Sequence, residues 1–245
     1  MTDATRTSQA DQQADQQADQ RQAWDRMARE DARFYVLSQG KPGETIPEHE
    51  FYRTGRELVE GVLDRDTVPQ RRGLAVEIGC GVGRNLFALA GLFERAVGFD
   101  ISPRMVELTN THPARPAGAE ARVAERPALD GIADRSADLV LSVIVFQHIP
   151  DWAVIENYIR ETARVLAPGG LAALHFDTRH VRALRTAYMA LPDRMLPAVH
   201  RRGMRRHPRD PGRVAAAIDH AGLRINEQTG PGTTEHWFYC GRAEA

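Results

Sequence analysis

The chain of 245 residues holds a single lysine, Lys41, two cysteines, and no apolar run approaching the length of a membrane span. Each scarcity excludes something. A phosphate-cradling loop of the Gly-x4-Gly-Lys-Ser/Thr kind needs a lysine directly after its last glycine, and Lys41 is followed by Pro42 instead. Cys80 and Cys240 cannot build a disulfide framework or a thiolate cluster, so both read as small reduced fillers and no metal is expected. A membrane helix takes roughly 18 consecutive apolar residues, and the polar N-terminus has no signal-peptide core. A cytoplasmic protein with no membrane partner is the expectation. Formal charge is −1, so no overall field draws the chain toward nucleic acid.

What the sequence does hold is organised around residues 74–84. An apolar run, Leu74–Ile78, meets glycines at alternate positions, Gly79, Gly81 and Gly83, and a helical pattern follows at once. The spacing predicts a strand, a tight turn and a helix N-terminus. Glycine suits such a turn because it accepts positive φ and, lacking a Cβ, lets a ligand touch the backbone. The unpaired N–H groups at the helix start favour an anionic part of that ligand. A dinucleotide loop of the G-x-G-x-x-G/A type wants a small residue three positions after its second glycine; that position holds Arg84. The form present is Glu77-x-Gly79-x-Gly81-x-Gly83.

Downstream, Ala96–Asp100 reads as a second strand ending in an acid 21 residues beyond Gly79. An acid at such a strand tip is placed to accept hydrogen bonds from ribose hydroxyls. Asp100 also suits a cap for the helix starting near Pro103, with Ser102 a better one. A faint strand, Ala121–Ala124, precedes Glu125, and Ser136–Val145 is apolar enough to be buried on both faces. A helix over 151–166 ends in Arg164-Val-Leu-Ala-Pro168-Gly169-Gly170, where proline stops the helix and the glycines turn the chain into a strand, Leu171–Phe176. A helix over 212–221 capped by Gly222 and two closing strands, Leu223–Glu227 and His236–Cys240, complete the chain. The alternation of strands and helices demands a mainly parallel sheet covered by helices.

This ordered set resembles the class I S-adenosylmethionine (SAM)-dependent methyltransferases over about residues 72–245: the glycine motif, the acid at Asp100, the strand with Asp138 at its start, the "R-x-L-x-P-G-G" turn and the aromatic final strand. The resemblance implies an α/β, Rossmann-like doubly wound sheet of seven strands, mostly parallel with an antiparallel last strand, plus an N-terminal helical cap. It implies SAM as cofactor, with Glu77 near the donor's ammonium end and backbone N–H groups at Gly79, Gly81 and Gly83 meeting its carboxylate. Asp100 would take the ribose and Glu125 the adenine amino group, though a plain surface glutamate is an equal reading of Glu125. The segment from Ser142 to His148 falls on the same edge.

Three domain segments follow: a Gln/Asp/Ala-rich tail over 1–22, disordered or frayed helix for want of an apolar face; a helical cap over 23–70; and the methyltransferase domain over 71–245 with a basic insertion at 178–210. Trp24, Met27, Phe34 and Tyr35 recur at helical spacing, which a packing stripe explains. By resemblance, the same helix lies over the SAM pocket, making Arg29 and Tyr35 candidates. The insertion carries nine arginines and two aspartates, interleaved with Leu184, Tyr188, Met189, Leu191, Met195 and Leu196. It reads either as an amphipathic helix with solvated arginines or as a positive apolar lid for an acidic acceptor or a nucleic acid.

His148 stands where an acceptor would approach the methyl group and is the candidate general base; a loop histidine holding the donor or the next helix is the competing reading. His175 reads as a satisfied core histidine. The function expected is methyl transfer to an oxygen or nitrogen of a small-molecule acceptor. The alternatives are an RNA or protein methyltransferase and a SAM- or NAD-binding protein without transfer. Ser142-Val-Ile-Val145 stands where an Asn/Asp-Pro-Pro-Tyr motif would signal base-amine methylation.

Overall fold

The apolar runs become strands because each alternates its side chains between two helix-covered faces. In the computed structural model, residues 3–37, 46–65, 68–180, 195 and 204–243 are described, with side chains from residue 16 onward. The strands are β1 (Leu74–Ile78), β2 (Arg95–Asp100), β3 (Ala119–Val123), β4 (Ala137–Ser142), β5 (Leu166–Phe176), β6 (Leu223–Thr229) and β7 (His236–Arg242). The helices are α1 (Asp3–Leu37), α2 (Glu48–Leu63), α3 (Arg84–Leu92), α4 (Pro103–Thr111), α5 (Trp152–Val165) and α6 (Pro211–His220). One seven-stranded sheet results, in the order β3-β2-β1-β4-β5-β7-β6. The β1, β2, β3, β4 and β5 neighbours run parallel, and β7 lies antiparallel to both β5 and β6.

Strand periodicity sorts the core into two layers. Val76, Ile78, Val97, Phe99, Val140, Leu174 and Phe238 face α5 and α6, whose Ile155, Ile159, Val214 and Ile218 meet them. On the other face, Ala75, Ala96, Ala121, Leu139, Leu141 and Ala173 face α2, α3 and α4 through Val59, Leu86, Leu89 and Val106. All six residues of β4 are buried, as its apolar run predicts for a central parallel strand. Chain order reverses between β1 and β4, and that switch point opens a crevice at the carboxyl ends of the strands.

Two local readings change. The Pro168-Gly169-Gly170 segment lies within β5 and not in a turn before it. Leu166 already pairs with Ala137, and the register jumps so that Leu171 faces Leu139; the three residues form a bulge, with Gly169 at φ 73°. At the N-terminus, helical backbone begins at Asp3 and crosses the expected boundary at residue 22. The helix is interrupted at Asp31 (φ −163°, ψ 82°), whose carboxylate accepts from Phe34 N at 3.1 Å and restarts it. In the expected cap, α2 packs on the sheet while α1 alone lies over the crevice. Of the insertion, Leu184, Tyr188, Met189, Leu191 and Leu196 lie outside the described residues, and Met195 is exposed.

Candidate SAM-binding active site

Beyond Ile78 the chain turns back on β2. Gly79 and Cys80 both donate their N–H to Phe99 O, at 2.7 and 3.1 Å. Gly79 (φ 74°) and Gly81 (φ 53°) hold a backbone that side chains disfavour. A Cβ at Gly79 would lie 2.2 Å from Val145 Cγ2, and one at Gly81 would lie 2.7 Å from Val36 Cγ2. The loop is therefore clasped between the end of β4 and α1. Gly83 caps α3 and does not line the cavity.

Asp100 holds this loop as well as its own strand end. Its carboxylate accepts from Gly81 N and from Ser102 N, both at 2.9 Å. Burial raises its pKa to about 6, and these two backbone N–H groups oppose the rise. Ser102, not Asp100, caps α4, accepting from Met105 N at 3.1 Å. Asp25 of α1 accepts from both Ser102 Oγ and Arg104 N, which ties α1 to the start of α4.

Glu77 is 1% exposed, and burial pushes its pKa up to about 7 against the lowering hydrogen bond from Asn85. Asn85 Nδ2 donates to Glu77 Oε1 at 2.8 Å. Glu77 Oε2 and Asn85 Oδ1 are buried acceptors without a partner. Two such acceptors side by side suit a ligand ammonium, which carries only donors. Close by, Arg84 lies 5% exposed, its Nη1 donating to Thr54 Oγ1 at 3.2 Å while Nε lacks a partner. The residues present therefore fit an amino-acid end bearing both charges.

These groups line one cavity with an open mouth. Its second wall comes from Gln17, Gln20, Trp24, Tyr35 and Val36 of α1, and from Val143–Val145 and His148 beyond β4. Gln20 Nε2 donates to His148 O at 2.7 Å, and the Trp24 and His148 rings meet edge-on at 5.7 Å. His148 Nδ1 lies 3.2 Å from Arg205 O. A carbonyl only accepts, so Nδ1 carries the hydrogen and Nε2 is the acceptor, facing Gln147 Nε2 at 3.3 Å. Burial, reinforced by Arg206, lowers the His148 pKa to about 3. Residues 204–210 close over this turn: His207 N donates to Gln147 O at 2.6 Å, and the Arg209 guanidinium donates to Ile149 O and Pro150 O.

Of the residues expected from sequence, Glu77, Gly79, Gly81, Asp100, Tyr35 and His148 surround this cavity. Four do not. Arg29 is exposed and lies 3.5 Å from Asp25; five positions beyond Trp24, it is turned about 140° round the helix. Glu125 points outward to Arg21, at 2.7 Å, because alternation past β3 sends Ala124 and Arg126 inward. Ser142 is fully buried behind the cavity, its Oγ without a partner, and Gly83 is the helix cap noted above. Sequence reasoning passed over Gln17, Gln20, Asn85 and Tyr158, and took Arg84 only as a mark against a dinucleotide. Gln20 sits in a polar repeat that gives no pattern signal; Asn85 is the second residue of α3, where a polar side chain is an ordinary helix start.

His175 is satisfied as expected: Nδ1 accepts from Ile144 N and Nε2 meets Glu235 Oε2, both at 3.2 Å. No helix among the described residues is long and apolar enough to cross a membrane. No cluster of three or more metal-ligating side chains occurs among them either.

Residues 76–174 match a family model described as a methyltransferase domain. The ubiquinone biosynthesis O-methyltransferase of Chelativorans sp. (strain BNC1) is 29% identical over 218 residues, which is 83% of this chain and 83% of that protein. The trans-aconitate 2-methyltransferase of Methylobacterium radiotolerans is 33% identical over 103 residues, 41% of this chain and 36% of that protein. Among solved structures, magnesium protoporphyrin IX methyltransferase from Synechocystis PCC 6803 with bound SAH shares the fold, at a TM-score of 0.58 and 18% identity over 85% of this chain and 93% of that one. With the glycine loop, the acids and the sheet order in place, the chain carries a SAM-dependent methyltransferase domain centred on residues 76–174.

Proposed function

We propose that the cavity binds SAM along its Glu77–Asp100 side and a small-molecule hydroxyl on its His148 side, making the protein a cytoplasmic O-methyltransferase without a nucleic-acid partner. The observation that carries this reading is the pair of unpartnered buried acceptors, Glu77 Oε2 and Asn85 Oδ1, facing the same cavity as His148. Bound SAM supplies an electrophilic methyl group on a sulfonium. Glu77 and Asn85 take its ammonium and Asp100 its ribose; Arg84 takes its carboxylate in place of the expected N–H groups of Gly79, Gly81 and Gly83, which already donate to Phe99 O, Asp100 and Cys80 O. Trp24 and Tyr35 exclude water from above. The oxygen acceptor is favoured by the name of the relative that matches most of the chain, a ubiquinone biosynthesis O-methyltransferase.

His148 acts here as a late proton acceptor. A base of pKa about 3 does not ionise an alcohol in advance. Its Nε2 lone pair can exchange the long Gln147 contact for the acceptor hydroxyl, orient it, and take the proton as the new bond to oxygen forms. Calorimetry with SAM and with NADH tests the donor: micromolar SAM binding with no NADH heat is expected, and the reverse would sink the reading. Incubation with methyl-labelled SAM and a metabolite extract then identifies the acceptor by the label it gains.

A further inference from the structure

Ile144 occupies φ 59°, a left-handed conformation that a β-branched residue avoids. It is no loose loop residue, for it lines the cavity between Val143 and Val145. Something must hold it there, and the hydrogen bonds identify what does. Ile144 N donates to His175 Nδ1 at 3.2 Å, and His175, 1% exposed in the middle of the sheet, has its Nε2 3.2 Å from Glu235 Oε2. The accepting Nδ1 leaves the ring hydrogen on Nε2, where the carboxylate of Glu235 receives it. The edge-on Trp237 ring, 5.0 Å away, fixes the imidazole plane.

We infer that His175, oriented by Glu235, is a positioning residue for the donor-binding cavity: it holds Ile144 in its strained turn and thereby seats Val145 on the glycine loop. The consequence runs in both directions along the chain. Val145 sits so close over Gly79 that only a hydrogen fits on that Cα. Val145 O accepts from His148 N at 2.8 Å and opens the short 3-10 turn that carries the imidazole. Releasing Ile144 would loosen the donor loop and the acceptor wall together. The inference rests on the SAM-binding reading for its functional meaning, and on the hydrogen bonds alone for its structural part.

Amide hydrogen exchange at Ile144 and calorimetry with SAM, both on the full chain, separate the two. His175→Phe should speed Ile144 exchange and weaken SAM binding, each by about tenfold, the scale of one or two net hydrogen bonds. His175→Asn keeps an acceptor near the Nδ1 position and should restore both to within about threefold on the same ground. Should the phenylalanine variant fail to fold, Glu235→Leu reports instead, since Glu235 is largely exposed; it should speed Ile144 exchange where Glu235→Gln does not. A backbone origin has its own signature: the His175→Phe penalty should persist in an Ile144→Ala background and vanish in Ile144→Gly, which tolerates positive φ. Unchanged exchange and affinity in His175→Phe, or equal losses in the phenylalanine and asparagine variants, would overturn the inference. A wild-type chain that binds no SAM, while Ile144 exchange still answers to His175, would instead count against the donor assignment.

Discussion

Glu77 shows how one buried carboxyl links stability, pH and ligand charge. Its folded pKa of about 7 lies above its ordinary 4.5, so the native state holds more protons than the unfolded chain between those values. Its contribution to stability is therefore full below about pH 4.5 and lost as pH rises through 7, on the order of 3 kcal/mol. His148, depressed to about 3, contributes the opposite slope, so the informative quantity is a difference between variants. Glu77→Gln should gain stability on wild type as pH rises from 5 to 8, measured by urea unfolding without ligand. Asp100 keeps part of its surface in the cavity and adds less. The same titration governs binding: an ammonium needs the ionised carboxylate, so SAM affinity should rise about tenfold from pH 6 to pH 8. In Glu77→Gln that rise should be absent.

Gly81 is the second residue with a sharp expectation. Alanine there meets both a positive φ and Val36, at a cost of about 1–3 kcal/mol for the backbone alone. SAM affinity should fall by tenfold or more, because the relief available is to push α1 off the loop. A Gly81→Ala chain with wild-type affinity and melting temperature would contradict this geometry. The alternate glycines announce this turn in the sequence, whereas the clash with α1 becomes visible only when the helix is in place.

Among the elements, α1 is the one whose role the linear pattern conceals. Its polar repeat reads as a tail because it has no apolar face to bury. Yet Gln20 reaches His148 O, Arg21 reaches Glu125 and Ala124 O, and Asp25 accepts from Ser102 Oγ and Arg104 N at the start of α4. These are polar contacts between segments about a hundred residues apart, and no period of 3.6 or 2 encodes them. Removing residues 1–22 should weaken SAM binding by roughly five- to thirtyfold, the worth of one or two hydrogen bonds and some lost enclosure. Binding unchanged by the truncation would return the segment to the status of a tail. The bulge at Pro168-Gly169-Gly170 is a gentler instance: proline and glycine correctly signal an irregularity, and strand pairing on both sides decides that it interrupts a strand.

At the scale of the whole molecule, the cavity joins a wall written in the sheet, with Glu77, Gly79 and Asp100, to a wall held by three distant pieces. Residues 204–210 clamp the turn around His148, Met204 packs with Met27, Phe34 and Tyr35, and α1 closes the top. His148→Ala should lower kcat by about a hundredfold or more, the usual worth of positioned acid–base catalysis, while changing SAM affinity less than threefold. Stopped-flow single turnovers at saturating SAM check it, and an unchanged rate removes His148 from the chemistry.

The sequence alone determined the sheet, its helices and the glycine-loop edge, because hydrophobic period and glycine spacing are local and survive without a partner segment. It brought Glu77, Gly79, Gly81, Asp100 and His148 to one edge for the same reason, each ending or following a strand. Which faces those side chains turn to the cavity was decided by tertiary structure. Arg29 and Glu125 rotate away, while Arg84, Asn85 and Gln20 turn in. So was the proton state of the site. Burial sets the pKa values of Glu77 and His148, and burial belongs to the assembled core, not to any stretch of chain.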